Sequence, residues 1–461
     1  MRSEPLKLVM GFYFYPRGGS AHACRAIATE LGRNGVELTL VAGSRTDLGE
    51  RGSAQDFFAG LDVRPVDFTP ALESDAPLRF EPRPGAAPMH ASFEDRRDAE
   101  DPVMASLDDE ELELQVRAWA EELWRAGADE ADLLYLHHLT PVHEAAARVA
   151  GDVPVVGHVH GSELLMMEAI TAGPPGGWAQ AEVWAQRLRD WAAGCARIVV
   201  NSETGMERAC ELLEVEPERF DVVPNGVGKA FAPREIDRCA HWRRHLVGDP
   251  HGWEPGEQPG SVRYREADLE ALEGTTLLSV GRFTGVKRLP LLIEAFAMAR
   301  HRFRGPAGLV LLGGYPGEWE GEHPSETIER LGVDDVFLAG WHPQSELPDF
   351  MNASDVLVHP SADEQFGQVL IEGMACCLPP IATAHRGPMQ IVDDGRTGWL
   401  IPPDDLDALT EVLVEAVNQP GRRARMGRAA RREALENYTW TQIGERLAAV
   451  VRDVGAPARA L

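Results

Sequence analysis

Lysine is nearly missing from this chain. Lys7, Lys229 and Lys287 are the only three in 461 residues, although lysine and arginine together number 45. Lysine is ordinarily among the commonest residues. Its scarcity fits a GC-rich coding bias or a mild salt adaptation, and it singles out the three that remain. Positive charge is also short overall: 73 acidic residues leave a net charge of −28. That balance excludes the basic footprint that nucleic-acid phosphates require. It also disfavours a peripheral, electrostatic hold on an anionic membrane. The six cysteines show no C-x-x-C or zinc-type spacing and read as reduced thiols of a cytoplasmic protein. No apolar run approaches the length of a membrane span. The opening LKLVMGFYF has the length and flanks of a first strand, not of a signal-peptide core.

What is present is ordinary globular chemistry, with 44% apolar residues. The length exceeds what one core serves, so two domains are expected. Strand and helix patterns alternate from the start, the mark of parallel α/β layers. Leu6 to Phe12 leads through YPRGGS into a helix from about Ala21. Gly18 and Gly19 fall in that turn, where a ligand could approach the backbone; tight turns also use glycine for its own sake. Residues from about Ser44 to Asp108 lack periodicity and predict an elaborated loop with one strand, LDVRPVDF, and a mobile section around Pro82 to Pro102. The DDEE run after Leu107 predicts a solvated helix start. His137, His138, His143, His158 and His160 raise the question of zinc, but no ligand spacing recurs and no metal site is assigned. A polar stretch from about Pro233 to Gly274 predicts an insertion with a linker, after which TTLLSVGRF opens a second α/β unit. The Arg-rich GRRARMGRAARRE is helical, with a solvated face.

The densest information lies between His359 and Ala375, HPSADEQFGQVLIEGMA. A buried parallel strand, DVLVH, passes through a short turn into a helix marked by Phe366, Val369, Leu370 and Met374. That order sets the helix N-terminus at the carboxyl edge of a sheet, where free N–H groups favour an anion. Gly367 leaves its backbone open to close approach. Glu364, just before the helix, and Glu372, inside it, are eight positions apart, a helical rise of roughly 12 Å, whereas paired glycosidase carboxylates stand about 5–9.5 Å apart. The two acids therefore suit the two ends of an elongated ligand better than one shared bond. The plain alternative is one capping acid and one solvated acid.

Glu364-Gln-Phe-Gly-Gln-Val-Leu-Ile-Glu372 resembles the E-x7-E signature of retaining glycosyltransferases of the GT-B type, family 4, related to sucrose synthase and glycogen synthase. The run that follows, EGMACCLPPIATAHRGPMQIVDDGRTGWLIPPDD, is similar too, departing at Gln390 and at Ala384–His385. The resemblance implies two Rossmann-like α/β domains facing a cleft, with a C-terminal helix crossing back to the first. The expected segments are 1–232 on the acceptor side, 233–274 as insertion and linker, 275–438 for the nucleotide sugar, and 439–461 as the returning helix.

The implied activity is transfer of a sugar from a nucleotide-diphosphate sugar, a UDP-sugar first, to an acceptor hydroxyl with retention. Implied catalytic residues are Glu364 beside the sugar, Arg282 and Lys287 (from GRFTGVKR) on the diphosphate, and His160 of an H-G element. Donor contacts fall to Gly18, Gly19, Phe366, Gly367, Gln368, Val369 and, on the ribose, Glu372. His158 is left as a core histidine. No cofactor or metal is expected, since Asp405-Leu-Asp407 starts a helix remote from the motif loops. Two other classes stay open: a sugar-nucleotide epimerase of the same architecture, which would release nucleotide without an acceptor product, and a non-catalytic nucleotide-sugar-binding regulator, which would bind donor without turnover.

Overall fold

Apolar runs closed by glycine or a polar turn become parallel strands in two separate sheets. The computed structural model describes residues 5–94, 101–317 and 319–456. It divides into one unit of Met1–Asn225 with Trp440–Leu461, and a second of Gly226–Thr439.

In the first unit the strands are Leu6–Phe12 (β1), Val36–Ser44 (β2), Asp62–Asp67 (β3), Leu133–His137 (β4), Val155–Val159 (β5), Arg197–Val200 (β6) and Phe220–Val222 (β7). Among the described residues they form a seven-stranded parallel sheet in the order β3-β2-β1-β4-β5-β6-β7. The central β4 is buried along its whole length, which is why its sequence is apolar up to its last residue, His137, rather than alternating. Phe12 pairs with His137, and His137 with His158, so β1 and β4 end level and β5 runs one residue further.

The second unit contains Thr275–Val280 (β8), Ala307–Leu312 (β9), Val336–Gly340 (β10), Val356–His359 (β11), Pro380–Thr383 (β12) and Trp399–Ile401 (β13). Its six-stranded sheet runs β10-β9-β8-β11-β12-β13. Strand order reverses between β1 and β4 in one sheet and between β8 and β11 in the other. Loops diverge at such a switch point and leave a crevice at the carboxyl ends of the strands, the usual ligand position in open α/β sheets.

The last helix, Trp440–Gly455, belongs to the first unit. It packs on the Gly18–Arg33 helix closely enough that a Cβ on Gly444 would lie 2.4 Å from Glu30 Cβ. Ile443, Leu447, Ala448 and Val451 are buried there, and large apolar side chains so placed contribute about 1.5–3 kcal/mol each.

Three expectations change. Gly18 and Gly19 do not precede the first helix; they are its first two residues. The 44–108 region yields β3 but is no surface loop: Met89, Ala91, Phe93 and Met104 are buried. Gln115 Nε2 holds it from the Asp109–Arg125 helix, donating to Met89 O at 2.6 Å. Of the section expected to be mobile, residues 95–100 lie outside the described residues. The 233–274 segment is wholly part of the second unit, with Trp242, Leu246 and Trp253 buried in it. Its helical pieces are a five-residue α-helix, Arg238–Trp242, and π and 3-10 stretches, too short or too irregular for a 3.6-residue periodicity to announce them.

Elsewhere, the acids after Leu107 make a capping box in which Asp108 accepts from Glu111 N at 2.9 Å. Asp405 caps the Leu406–Asn418 helix, accepting from Ala408 N at 2.8 Å. The Arg-rich helix, Pro420–Asn437, is not solvated throughout. Arg423 donates to Ala416 O at 2.7 Å, and Arg431 donates to Ala375 O.

Candidate functional site

In the second unit, glycine lets three strand ends meet. Gly281 N donates to Leu312 O at 3.0 Å and Gly313 N to Gly340 O at 2.7 Å. Gly313 adopts φ +122°, and a Cβ there would lie 2.1 Å from Gly281 O; no other residue fits. The chain after β8 then runs through Arg282 and Phe283 into a 3-10 turn, Gly285–Lys287. The loop after β11 docks on that turn. Ala362 N donates to Val286 O at 2.8 Å, Ser361 Oγ donates to the same carbonyl at 3.1 Å, and Thr383 Oγ1 donates to Ser361 O at 2.6 Å.

These contacts carry Lys287 to Glu364. The ammonium Nζ lies 2.6 Å from Glu364 Oε2, and His359 Nε2 lies 2.9 Å from the same oxygen. Burial favours the protonated acid, but the Lys287 charge and the His359 contact override it and hold Glu364 well below the usual carboxylate range. Burial lowers His359 as well, as does Lys287, against the pull of Glu364. A recess at the end of β8 is lined by Ser279, Gly281, Arg282, Lys287 and His359. It carries two basic side chains, Arg282 and Lys287, and lies at the switch point of the sheet.

Gly367 begins the Gln368–Ala375 helix at φ +101°, a left-handed conformation that favours glycine. Inside that helix Glu372 is 4% exposed. Its Oε1 accepts from Gln368 Nε2 at 3.1 Å and from Gln344 Nε2 at 3.3 Å. Both donors are neutral amides. Burial therefore dominates and pushes the Glu372 carboxyl up to about 7. Gln368 also donates to Gly226 O at 3.0 Å. Phe366 turns inward, 5% exposed, with its ring edge-on to Tyr438 at 6.1 Å; only its backbone is left to offer a ligand. Val369 is half-buried.

In the first unit, Gly18 takes φ +68°, and a Cβ on Gly18 or Gly19 would meet nothing within 4 Å. Packing does not demand glycine at 19. His160, just past β5, has its Nε2 2.9 Å from His137 Nδ1. Its backbone N–H and that of Gly161 donate to the buried Glu163 at 3.1 and 2.9 Å. Burial lowers the His160 imidazole well below its ordinary value, and the histidines around it add to this. His158 is a core residue, as expected, held between Tyr135 OH at 2.9 Å and Asn201 Oδ1 at 3.0 Å.

Arg282, Lys287 and Glu364, each singled out in the sequence, lie together at one edge of the second sheet, while the partners His359, Gln344, His137 and Glu163 were not assigned. His359 was visible as the last residue of its strand, one turn from Glu364. Gln344 gives no local signal, being 28 residues from Glu372. His137 joins His160 through strand register, which spacing along the chain does not encode, whereas Glu163 stands only three residues on and accepts from the His160 and Gly161 N–H groups.

The chain matches the family described as Glycosyltransferase Family 4 over residues 17–230, and Glycosyl transferases group 1 over residues 263–433. A D-inositol 3-phosphate glycosyltransferase of Kribbella flavida is 31% identical over 252 residues, so the chain spans about half (53%) of that relative, using 53% of its own length. The alpha-maltose-1-phosphate synthase of Mycolicibacterium smegmatis is 30% identical over 61% of this chain and 68% of its own. Among solved structures, Anabaena HepE in complex with UDP and glucose superimposes with a TM-score of 0.67 at 17% identity, over 97% of this chain and 99% of that one. Sucrose-phosphate synthase from Thermosynechococcus elongatus gives 0.66 at 17% identity, over 98% and 100%. At such identity these two speak for the fold alone, and the fold is GT-B. The chain belongs to the family 4 glycosyltransferases.

Proposed function

We propose that this enzyme transfers a hexosyl unit from a UDP-sugar to an acceptor hydroxyl with retention at the anomeric carbon, and without a divalent metal on the donor. The observation that carries this reading is the gathering of Arg282, Lys287 and His359 around one recess, with the ionised Glu364 on Lys287. Two fixed cations suit a diphosphate, whose charge grows as the glycosidic bond breaks; preorganised charge is worth most there. In the step itself, the bond from C1 to the leaving phosphate oxygen breaks. The bond from C1 to the acceptor oxygen forms on the same face, and the acceptor proton passes to an oxygen of the leaving diphosphate.

Glu364 is assigned to the sugar and Glu372 to the ribose. Once ionised, the two oxygens of the Glu372 carboxylate accept a hydrogen bond each, which matches the two hydroxyls of a cis-diol. Gly367 and the first turn of its helix, with Gln368 and Val369, complete the donor contacts; Phe366 contributes through its backbone. Gly18 and Gly19 offer open backbone to the ligand, and His160 is assigned to the sugar. HepE, solved with UDP and with UDP-glucose, supports the choice of base.

A donor panel read by nucleotide release and product mass tests this reading. Acceptors should include an inositol phosphate and sugar phosphates, the compound classes that the relatives' names state. The expected result is UDP release matched one to one by a glycoside. Release without a glycoside would favour an epimerase, and donor binding without release a regulator.

A further inference from the structure

The 233–274 segment brings a histidine to a cluster outside the donor site. His245, in the helical turn Arg243–Gly248, and His342, two residues after β10, are 7% and 5% exposed. Glu346 follows at the head of the Leu347–Asn352 helix, its side chain 40% exposed. One ligand atom from each of the three lies within 4.8 Å of the other two.

The contacts of His342 point to what the cluster holds. Its Nδ1 is 2.9 Å from Glu346 Oε2 and its Nε2 is 3.2 Å from Ala339 O. A neutral imidazole has one N–H, so one of its nitrogens faces an oxygen lone pair. A cation between Nδ1 and the carboxylate removes the conflict, because Nε2–H then donates to the carbonyl. That is the usual outer-shell arrangement of a metal-bound histidine.

His245 supplies a third donor. Its Nδ1 is buried with no hydrogen-bond partner among the described residues. Its ring stands at 81° to that of His342, with centroids 4.9 Å apart. The two ring planes therefore cross, and one ion can lie in both. The other histidine cluster, His137, His158 and His160, lacks this property. Its rings stack within 13–25° of parallel and share no nearby in-plane point.

We propose that His245, His342 and Glu346 bind one divalent transition-metal ion of the zinc class, in a three-ligand site open to water on the Glu346 side. Imidazole with carboxylate suits zinc, and three protein ligands leave a fourth position for water. The ion fastens the 238–248 segment to the end of β10. It is separate from the donor recess, although Gln344, which donates to Glu372, sits on the same loop.

The test is titration of the metal-stripped full chain with zinc by calorimetry and with cobalt by visible absorption, comparing wild type with His245→Ala, Glu346→Gln and His137→Ala. The expected result is one ion per chain, with a raised melting temperature and cobalt bands of a four-coordinate site. Binding should persist in His137→Ala. It should weaken in both other variants by more than the roughly 10–100-fold that loss of an outer-shell partner brings. Glu346 is partly exposed, so Glu346→Gln should fold as wild type does and keep the test decisive if His245→Ala does not. Failure of wild type to bind an ion stoichiometrically would overturn the proposal. So would unchanged affinity in Glu346→Gln, or binding that depends on His137 and not on Glu346.

Discussion

Lys287 and Glu364, 77 residues apart in sequence, meet at 2.6 Å and join the turn after β8 to the loop after β11 across the switch point of their sheet. Lys287 is one of three lysines in a chain that otherwise uses arginine. A compact ammonium on a flexible stem reaches a single carboxylate oxygen beside a phosphate where a planar guanidinium does not fit as well. Lys287→Ala should lower turnover by about 10²–10³, the scale for losing one preorganised charge-stabilising donor. It should also cost stability on the order of 1–3 kcal/mol, since it strips a partly buried carboxylate of its charged partner. Lys287→Arg should restore stability more fully than turnover. Steady-state rates beside denaturant melts separate the two, and wild-type turnover in a folded Lys287→Ala enzyme would remove the lysine from the mechanism.

Glu372 makes the opposite trade. In the unfolded chain its carboxyl titrates near the ordinary 4.5, whereas in the fold it is pushed up to about 7. Below pH 4.5 both states hold the proton and the group has no effect. Between 4.5 and 7 the unfolded chain ionises first, so stability falls as pH rises through that window. The full loss is at most about 3 kcal/mol, at 1.36 kcal/mol per pH step. Glu372→Gln should therefore raise stability at pH 8 and leave it unchanged near pH 4, while weakening the donor. Donor affinity equal to wild type would end its assignment to the ribose.

The same group predicts a proton count. A carboxylate that accepts hydroxyl hydrogen bonds is favoured over its acid, so UDP should displace the Glu372 proton. Calorimetry at pH 6.5 in buffers of different ionisation enthalpy should show release of a fraction of a proton, absent in Glu372→Gln. Affinity should rise from pH 6 to pH 8. Uptake of a proton on binding would contradict the assignment.

How much of this was legible in the sequence follows from which physics each feature uses. Strand burial and helix periodicity are local, so β1, β4, β8 and β11 and the E-x7-E helix could be read directly. Strand register and turn docking are not local, and the pairings of His137 with His160 and Gln344 with Glu372 depend on them. Proline-rich stretches, irregular chain and helices of about one turn leave no periodic trace, which hid the buried Trp242 and Trp253 and the packed stretch around Met89. Phe366 shows a further limit. Its apolar character fits both a core ring and a ligand contact, and only the position of Tyr438 decides for the core.

Gly19 separates folding from function. Nothing lies within 4 Å of a Cβ built there, and it sits inside a helix, where glycine costs roughly 0.5–1 kcal/mol relative to alanine. Gly19→Ala should leave the melting temperature equal or higher. If the open backbone exists for a ligand, the same change should weaken donor or acceptor binding, read as a raised KM. Unchanged kinetics would make Gly19 a glycine without function.

Turnover should survive EDTA. The cations at the donor recess are Arg282 and Lys287, and Asp405 is occupied as a helix cap. Chelation should lower the melting temperature if a zinc-class ion is held at His245, His342 and Glu346, yet leave the initial rate below that melt intact. A rate abolished by EDTA and restored by magnesium or manganese would show that a metal acts on the donor.

The central claim is retaining transfer from a UDP-sugar, and the anomeric configuration of the first-formed product tests it most directly. Proton NMR of the product, recorded early with an α-linked UDP-hexose and the acceptor that the panel selects, should show a new α-glycoside with UDP formed in equal amount. A β-glycoside, or UDP formed with free hexose or an epimerised sugar in place of a glycoside, would contradict it.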